Sequence, residues 1–171
     1  YGEPPDPDPN EVEITRQTPG APSADQVFDK YLQAVGGAQK AAAVTSIVFK
    51  GTYEGYAEPK APVEIYVRAP NQRTMIVHMD LGDRTTTCDG TNGWMAAPAA
   101  DKPFPVITYT GGDLDGARLD AVLSLPAGIK QAITRPAVGA TTIDDKDVMV
   151  VQGIANGGRS SIKLYFDKQS G

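Results

Sequence analysis

Residues 63–79 read VEIYVRAPNQRTMIVHM, and this stretch decides the fold that the sequence predicts. Apolar side chains alternate with other side chains on both sides of the dipeptide Pro70-Asn71. The alternating apolar positions are Val63, Ile65, Val67, Met75, Val77 and Met79. Because successive side chains of a β-strand point to opposite faces of a sheet, this pattern predicts two antiparallel strands joined by a tight turn. Each strand has one face suited to burial.

The same alternation continues outward along the chain in both directions. Before this pair, one face collects Ile47, Phe49, Gly51 and Tyr53. The predicted strands cover residues 45–54, 63–68, 74–79, 84–89, 94–97, 141–143, 147–154 and 159–166. The turn sequence DGTNG at 89–93 is a strong hairpin signal. Successive strands with short connections predict an antiparallel meander.

Two helices are predicted to cover the sheet. The first begins at Ser23, where Ser23 and Gln26 form a capping box, since each side chain can accept a hydrogen bond from a backbone N–H of the first turn. Its apolar stripe consists of Phe28, Tyr31, Leu32 and Val35, and Gly36 and Gly37 end it. The second helix has Asp113 as its N-cap, carries Leu114, Ala117, Ala121 and Leu125 on one stripe, and ends at Pro126. A further short helical turn is predicted to hold Ile129 and Ile133. The predicted fold class is α+β, a curved antiparallel sheet covered by two helices.

The chain divides into an acidic, proline-rich linker and one domain. Residues 1–22 hold six prolines and a net charge of −4, a composition typical of extended, solvated backbone. Residues 23–171 form the predicted domain, which is long enough to bury a core without disulfides or a structural metal. The linker residues Asp6, Asp8, Asn10 and Glu13 have a spacing similar to that of a calcium loop, but the glycine of that loop is missing, so a solvated linker is the preferred interpretation. Because the chain begins with Tyr1, we interpret it as a processed or excised piece of a longer protein.

The composition argues against several classes of function. The chain has 16 Lys plus Arg against 21 Asp plus Glu, and no segment is strongly basic, so nucleic acid is not an expected partner. A single cysteine, Cys88, rules out an internal disulfide. No apolar run approaches the roughly 20 residues of a membrane-spanning helix, so no transmembrane segment is expected.

The residues that could carry catalysis are few and scattered. His78 is the single histidine and lies on the polar face of its predicted strand, so we interpret it as a solvated or hydrogen-bonded side chain. Cys88 would need a nearby cation such as Arg84 to become reactive, and an inert, buried or half-buried thiol is preferred. Asp113 and Asp115 both fall in the first turn of the second helix, where capping accounts for them. We expect no catalytic set and no metal site, and predict that the chain is not an enzyme.

One face of the predicted sheet is rich in large apolar side chains. The candidate ligand-binding residues on this face are Phe49, Tyr53, Ile65, Val67, Met75, Val77 and Trp94. They either form ordinary core beneath the helices or line a cavity for an apolar ligand, and the sequence leaves both interpretations open.

Several short motifs together resemble the outer-membrane lipoprotein carrier (LolA/LolB-like) superfamily. They are DKYLQAVGG at 29–37, VTS at 44–46, GT at 51–52, VEIYVRAPN at 63–71, DGTNGW at 89–94 and LYFD at 164–167. The resemblance runs from Ser23 to Gly171, and the strand turn from Pro70 to Arg73 and the DGTNGW hairpin are its most specific parts. The domain is most similar to domains of acidobacterial extracytoplasmic proteins. Some of these proteins are similar to the cytochrome subunit of the photosynthetic reaction centre, and in them the similar region follows the haem-binding part.

The resemblance implies a half-barrel of about eleven antiparallel strands around helices, with an apolar concave face that accepts acyl chains. It also implies a periplasmic or cell-surface location. Family members continue for several strands beyond the LYFD motif, whereas this chain ends at Gly171, so we expect an incomplete sheet whose open edge can pair with another chain. A c-type haem needs the motif CxxCH, which Cys88 alone does not supply, so no cofactor is expected in this chain and any haem would belong to a preceding region.

Two functions follow from the resemblance. The first is a non-enzymatic extracytoplasmic domain that binds a lipid, an acylated protein or another apolar ligand on the concave face. The alternative is an accessory or assembly domain of a multihaem c-type cytochrome, engaged in electron transport. In that alternative the concave face is filled, and the open edge and the acidic linker organise partners.

Overall fold

The computed structural model describes residues 16–55, 60–97 and 106–171. The helices are α1 (Ala24–Ala34), α2 (Ala38–Ala43) and α3 (Gly111–Leu123), with a 3-10 helix over Pro126–Gln131. The strands are β1 (Ser46–Tyr53), β2 (Ala61–Arg68), β3 (Gln72–Met79), β4 (Gly82–Cys88), β5 (Gly93–Ala96), β6 (Val106–Thr108), β7 (Ile133–Ile143), β8 (Lys146–Ala155) and β9 (Ser161–Asp167). The predicted α+β class is confirmed, and the described strands form two antiparallel sheets.

The first sheet is a meander of β1 to β6 in chain order. The alternating stretch 63–79 lies in β2 and β3, as predicted. The hairpin between β4 and β5 is also confirmed, and Oδ1 of Asp89 accepts hydrogen bonds from the backbone N–H groups of Thr91 and Asn92 at 2.8 and 2.7 Å. The sequence does not predict β6, because its three residues are too few for an alternation to be recognised.

The register of the first sheet defines two faces. One face carries a row of paired residues that crosses all six strands, and we call it the inner face. The row consists of Phe49, Ile65, Met75, Thr86, Met95 and Ile107. We call the opposite face the outer face. Helix α3 packs on the inner face against β3, β4 and β5. A Cβ added at Gly93 would lie 3.0 Å from the Tyr109 ring and 3.5 Å from the Cβ of Ala117, so glycine at this position lets the helix approach the sheet.

The first sheet curves toward its inner face. The guanidinium carbon of Arg84 on β4 lies 5.0 Å from the centre of the Tyr53 ring on β1, a cation–π contact. In a flat sheet three strand spacings of about 4.8 Å would separate β1 from β4, so this contact indicates that the sheet bends between them. Val77 of β3, which pairs with Arg84, is fully buried at this end of the face.

The second sheet, formed by β7, β8 and β9, holds the main hydrophobic core against α1, α2 and the 3-10 helix. The core residues are Val27, Phe28, Leu32, Ala41, Ile129, Ile133, Val138, Met149, Val151 and Phe166. The centre of the Phe166 ring lies 5.7 Å from that of Phe28 and 5.9 Å from that of Tyr31, distances typical of favourable aromatic pairs. Val35, the last residue of the predicted stripe, is instead exposed at the end of α1.

The two long helices begin in different ways. The capping box of α1 is confirmed: Oγ of Ser23 accepts a hydrogen bond from the N–H of Gln26 at 3.2 Å, and Oε1 of Gln26 accepts one from the N–H of Ser23 at 2.8 Å. Helix α3 begins three residues earlier than predicted, at Gly111, with Thr110 as its N-cap. Asp113 is therefore a residue of the first turn and not the cap.

The segment that precedes α1 contacts the second sheet. The N–H of Thr18 donates to the carbonyl of Val138 at 2.9 Å, and Oε1 of Gln17 accepts a hydrogen bond from the N–H of Val138 at 2.9 Å. Residues 1–15 of the predicted linker lie outside the described residues, and the calcium-like spacing lies among them. Within the described ranges, no helix has the length and apolar character needed to cross a membrane.

The region after α3 differs most from the prediction. Ile129 lies in the 3-10 helix, but Ile133 begins β7, so the predicted helical turn does not include it. Strand β7 is much longer than the predicted 141–143. Its early part escapes recognition because the register shifts between Thr134 and Ala137 and interrupts the alternation.

Candidate functional site

The seven candidate ligand-binding residues do not all share a face. The inner face holds Phe49, Tyr53, Ile65, Val67, Met75 and Val77. Trp94 lies on the outer face, because it pairs with Thr87 of β4 and Thr108 of β6, whose side chains point to that side. The prediction that Trp94 shares the apolar face is therefore wrong. Since β5 begins at Gly93, its inner positions are Gly93 and Met95, and Met95 takes the place predicted for Trp94.

The inner-face residues divide by their burial. Val67 and Val77 are buried and belong to the packed interior. Phe49 keeps 43% of its surface exposed, while Ile65 and Met75 are half-buried. Because Phe49, Ile65 and Met75 are direct neighbours across β1, β2 and β3, they form one continuous, partly exposed surface. We call these three residues the apolar row.

A cleft of about 440 Å³ lies where the inner face meets α3. Its floor includes Arg73, Met75, Thr86 and Cys88, and its opposite wall includes Tyr109, Gly116 and Ala117. Met75 belongs to both the apolar row and the cleft, so the two surfaces are continuous. A Cβ added at Gly116 would meet no atom within 4 Å, so this helix position leaves space beside the cleft. The volume is typical of sites for small ligands, which are about 300–1,000 Å³.

Charged and polar side chains are present in the cleft. Arg73 is half-buried, and its guanidinium lies 3.8 Å from the sulfur of Met75. Asp113 and Asp120 are exposed residues of α3. Partial burial of Tyr109, with a smaller contribution from the charge of Asp113, raises the pKa of its hydroxyl.

Helix α3 is held over the cleft by two turns. Oδ2 of Asp115 accepts hydrogen bonds from the N–H of Arg159 at 2.8 Å and the hydroxyl of Ser160 at 3.2 Å. Nε of Arg118 donates to the carbonyl of Thr91 at 3.0 Å. The N–H of Arg159, as the largest cause, lowers the pKa of Asp115. Capping therefore does not account for Asp115, and the sequence does not reveal this role because its partners lie far along the chain.

His78 and Cys88 lie on opposite sides of the first sheet. Nδ1 of His78 lies 2.8 Å from Oδ1 of Asp83 on the outer face, so the predicted hydrogen-bonded histidine is confirmed. Cys88 is a free cysteine on the inner face and is buried, as predicted. Over the described ranges, no group of three or more His, Cys, Asp or Glu side chains is arranged to hold a metal ion.

The outer face carries paired polar groups close to exposed apolar side chains. Nζ of Lys50 lies 2.6 Å from Oε1 of Glu64, and the hydroxyl of Tyr66 donates to Oε2 of Glu64 at 2.6 Å. These two hydrogen bonds, with that from Lys50 the larger, lower the pKa of Glu64. Val48, which precedes Phe49 on β1 and points to this outer face, is 53% exposed. The two faces of β1 therefore differ in chemistry although each exposes an apolar residue.

Comparisons with protein-family models, with curated proteins and with solved structures found no match to this chain. The fold class, α+β with a curved antiparallel sheet and covering helices, therefore rests on the structure itself. The resemblance to lipoprotein carriers stays a prediction.

Proposed function

We propose that this chain binds an apolar ligand, such as the acyl chain of a lipid or of an acylated protein, over the apolar row and into the cleft beside α3. The observation that carries the proposal is the exposure of Phe49, which keeps 43% of its surface open to water in a row that leads into the cleft. Following the resemblance to lipoprotein carriers, the proposal includes an extracytoplasmic location and binding without catalysis.

Burial of the apolar row would supply the affinity. A phenylalanine side chain buries about 150–250 Å² when fully covered, so the exposed 43% of Phe49 corresponds to about 80 Å². At about 25 cal/mol per Å² of apolar surface, covering it contributes about 2 kcal/mol. Ile65 and Met75 are half-buried and add to this term. An acyl chain along the row would therefore bind mainly by removing these side chains from water.

The shape of the inner face supports an elongated ligand. Helix α3 covers β3, β4 and β5, and the contact between Tyr53 and Arg84 closes one end of the face. The row opens to solvent at β1, because β1 is the first strand in the order of the described first sheet and Phe49 is exposed there. A chain can enter across β1, pass over Phe49 and Ile65, and reach the cleft at Met75.

Titration with Nile red, a neutral dye whose fluorescence rises in apolar surroundings, tests this proposal. Phe49→Ala should weaken binding about tenfold or more, since each 1.4 kcal/mol corresponds to a factor of ten. The matched control is Val48→Ala, because Val48 is the neighbouring residue on β1, is 53% exposed and points to the outer face. Val48→Ala should leave the affinity for Nile red unchanged.

The outcomes separate binding at the row from binding elsewhere. Equal affinities of the Phe49→Ala and Val48→Ala proteins would place the dye outside the apolar row. No saturable binding to the wild-type protein would refute the proposed function. Both variants should keep the wild-type circular dichroism spectrum, because neither changed side chain belongs to the buried core.

A second candidate function is strand pairing with another chain at β6. Among the strands that the structure describes, this one lies at an edge of the first sheet, and Val106 and Ile107 each expose more than half of their surface. Edge strands present backbone N–H and C=O groups that another strand can meet. Such pairing would suit an accessory domain of a larger electron-transport protein. Analytical ultracentrifugation tests pairing between copies: an oligomer that Val106→Lys converts to monomer supports it, and a monomer at every concentration contradicts it.

A further inference from the structure

A purely apolar ligand in the cleft would make no use of the charged side chain of Arg73. It lies two residues before Met75 on the inner face of β3, is half-buried and lines the cleft. A guanidinium carries five N–H donors. Among the residues that the structure describes, the acceptor that Arg73 meets is the thioether sulfur of Met75 at 3.8 Å, a weak acceptor.

Arg118 of α3 is satisfied in a different way. Arg118 of α3 donates from Nε to the carbonyl of Thr91 at 3.0 Å, so oxygen acceptors are built into its place. In the described parts of the chain no carboxylate forms an ion pair with Arg73. Taking a charged group out of water costs free energy unless it is paired and hydrogen-bonded. Oxygen atoms of a bound anion would supply the acceptors that the floor of the cleft does not.

Two acids on the helix side of the cleft have the opposite charge. Asp113 and Asp120 are both exposed, so water and salt screen their charges. Asp113 also lies in the first turn of α3, where the helix dipole favours a negative charge. Neither acid is paired with Arg73, so no direct contact with an acid of the described residues neutralises the positive charge on the floor.

We propose that the ligand of the inner face is a single-chain amphiphile with an anionic head, whose carboxylate or phosphate oxygens bind Arg73 while its chain lies along the apolar row. This inference rests on the proposed function and names the class of ligand. A guanidinium binds two oxygens of a carboxylate or phosphate through parallel N–H···O bonds, which gives charge and geometric selectivity together. Met75 adjoins both Arg73 and Ile65 and marks the junction between head and chain.

The spacing along this path suits a linear chain. Residues two apart on a strand are separated by about 6.8 Å, and neighbouring strands by about 4.8 Å. A chain that leaves Arg73 therefore passes Met75, Ile65 and Phe49 over roughly 16 Å before it reaches the β1 edge. The head would lie at the inner end of the cleft and the end of the tail near the open edge.

Displacement of bound Nile red by amphiphiles of equal chain length tests the inference. The competitors are dodecanoate, dodecyl phosphate, dodecanol and dodecyltrimethylammonium, with dodecanol kept below its solubility limit and each of the others below the concentration at which it forms micelles. They are titrated into the wild-type protein and into Arg73→Gln, Arg73→Lys and Arg68→Gln. Arg68→Gln is the matched control, because Arg68 is an exposed residue of the same sheet on its outer face.

The expected result is a preference for anionic heads that depends on Arg73. On the wild-type protein, dodecanoate or dodecyl phosphate should displace the dye at a concentration at least about tenfold lower than dodecanol, and the tighter of the two identifies the head. Arg73→Gln should remove this preference while Nile red still binds. Arg73→Lys should retain part of it, because it keeps the charge but not the planar fork. Arg68→Gln should behave as wild type.

Other results overturn the inference and locate the failure. Equal displacement by dodecanoate and dodecanol, or an Arg73→Gln protein that keeps the preference, would overturn the anionic head and leave the proposed function standing. Tighter binding of dodecyltrimethylammonium would also overturn it, since Asp113 and Asp120 would then determine the selectivity. No saturable binding of Nile red to the wild-type protein would overturn both. If Arg73→Gln does not fold, the preference for anionic heads is compared between the wild-type and Arg73→Lys proteins, and this comparison tests the inference.

Discussion

Replacement of Gly128 by alanine is expected to destabilise the fold strongly. A Cβ at this position would lie 1.9 Å from the carbonyl oxygen of Val122 and 2.9 Å from its carbonyl carbon. Both distances are below 3.0 Å, and Cβ atoms essentially never come this close to another heavy atom. Because the clash is with the backbone of α3 and not with the end of a flexible side chain, the 3-10 helix would have to move away from α3.

The size of the effect follows from this geometry. Gly128 is buried and precedes the core residue Ile129, so a shift of the 3-10 helix disturbs the core of the second sheet. Forcing extra atoms into a packed interior costs about 1–3 kcal/mol, and a backbone clash belongs at the upper end, about 3 kcal/mol. For a domain of this size 1 kcal/mol corresponds to about 2–4 °C, so the Tm should fall by about 6–12 °C.

Gly116→Ala is the matched control and should stabilise the fold instead of destabilising it. Gly116 lies inside α3, and an added Cβ would meet no atom within 4 Å. Alanine in a helix interior is favoured over glycine by about 0.5–1 kcal/mol. The Tm should therefore rise by about 1–4 °C.

Thermal unfolding followed by circular dichroism, with calorimetry as a second probe, measures both variants. A Gly128→Ala protein that melts within about 2 °C of the wild type would refute the close approach of the 3-10 helix to α3. A lower Tm for Gly116→Ala would contradict the free space beside this position of α3.

Three further substitutions test other parts of the fold. Gly90→Ala should cost about 1–3 kcal/mol in urea unfolding, because Gly90 has a φ of +100° and its Cβ would lie 2.4 Å from Oδ1 of Asn71; a neutral result would contradict this turn. Asp115→Asn should lower the Tm at neutral pH. Because hydrogen bonds lower the pKa of Asp115 in the folded state, its stabilisation is present above its ordinary pKa of 3.8 and is lost as the pH falls through the lower folded value. The difference in Tm between wild type and Asp115→Asn should therefore shrink below about pH 4, and a difference that grows there would be incompatible with this role. Val151→Ala should cost about 2–3 kcal/mol through lost burial and the cavity left behind, since Val151 is fully buried, whereas Val48→Ala should stay within about 0.5 kcal/mol. Similar losses for the two valines, measured by urea unfolding, would contradict the assigned core.

Most of the strands were predicted from the alternation of apolar and other residues, and the failures of this prediction have local causes. Strands β2 and β3 have one better-buried side, so the period of two is visible in the sequence. Strand β7 has a shifted register between Thr134 and Ala137, and Arg135 has a φ of 53°, so no single period runs through it. The division into two sheets follows from α3 and the 3-10 helix, which separate β6 from β7. Short-range patterns do not specify how the strands on either side of such helices associate.

The candidate site was predicted less completely than the strands. The face of Phe49 follows from the alternation in β1, but the face of Trp94 depends on where β5 begins, and the hairpin turn determines that point. Whether an inner residue is filled core, like Val77, or exposed, like Phe49, depends on packing across the curved sheet. The hydrogen bonds of Asp115 join segments that are distant in sequence, so no local pattern contains them.

The residues that hold α3 over the cleft are not the residues that line the cleft. Arg118 and Asp115 join the helix to the turn at 89–93 in the first sheet and the turn at 156–160 in the second. The turn residues that accept or donate these bonds, Thr91 and Arg159, do not line the cleft. Turns tolerate insertions and substitutions better than the strands they connect. During evolution, changes in either turn could therefore shift the helix and alter ligand selectivity while every residue of the binding surface is retained.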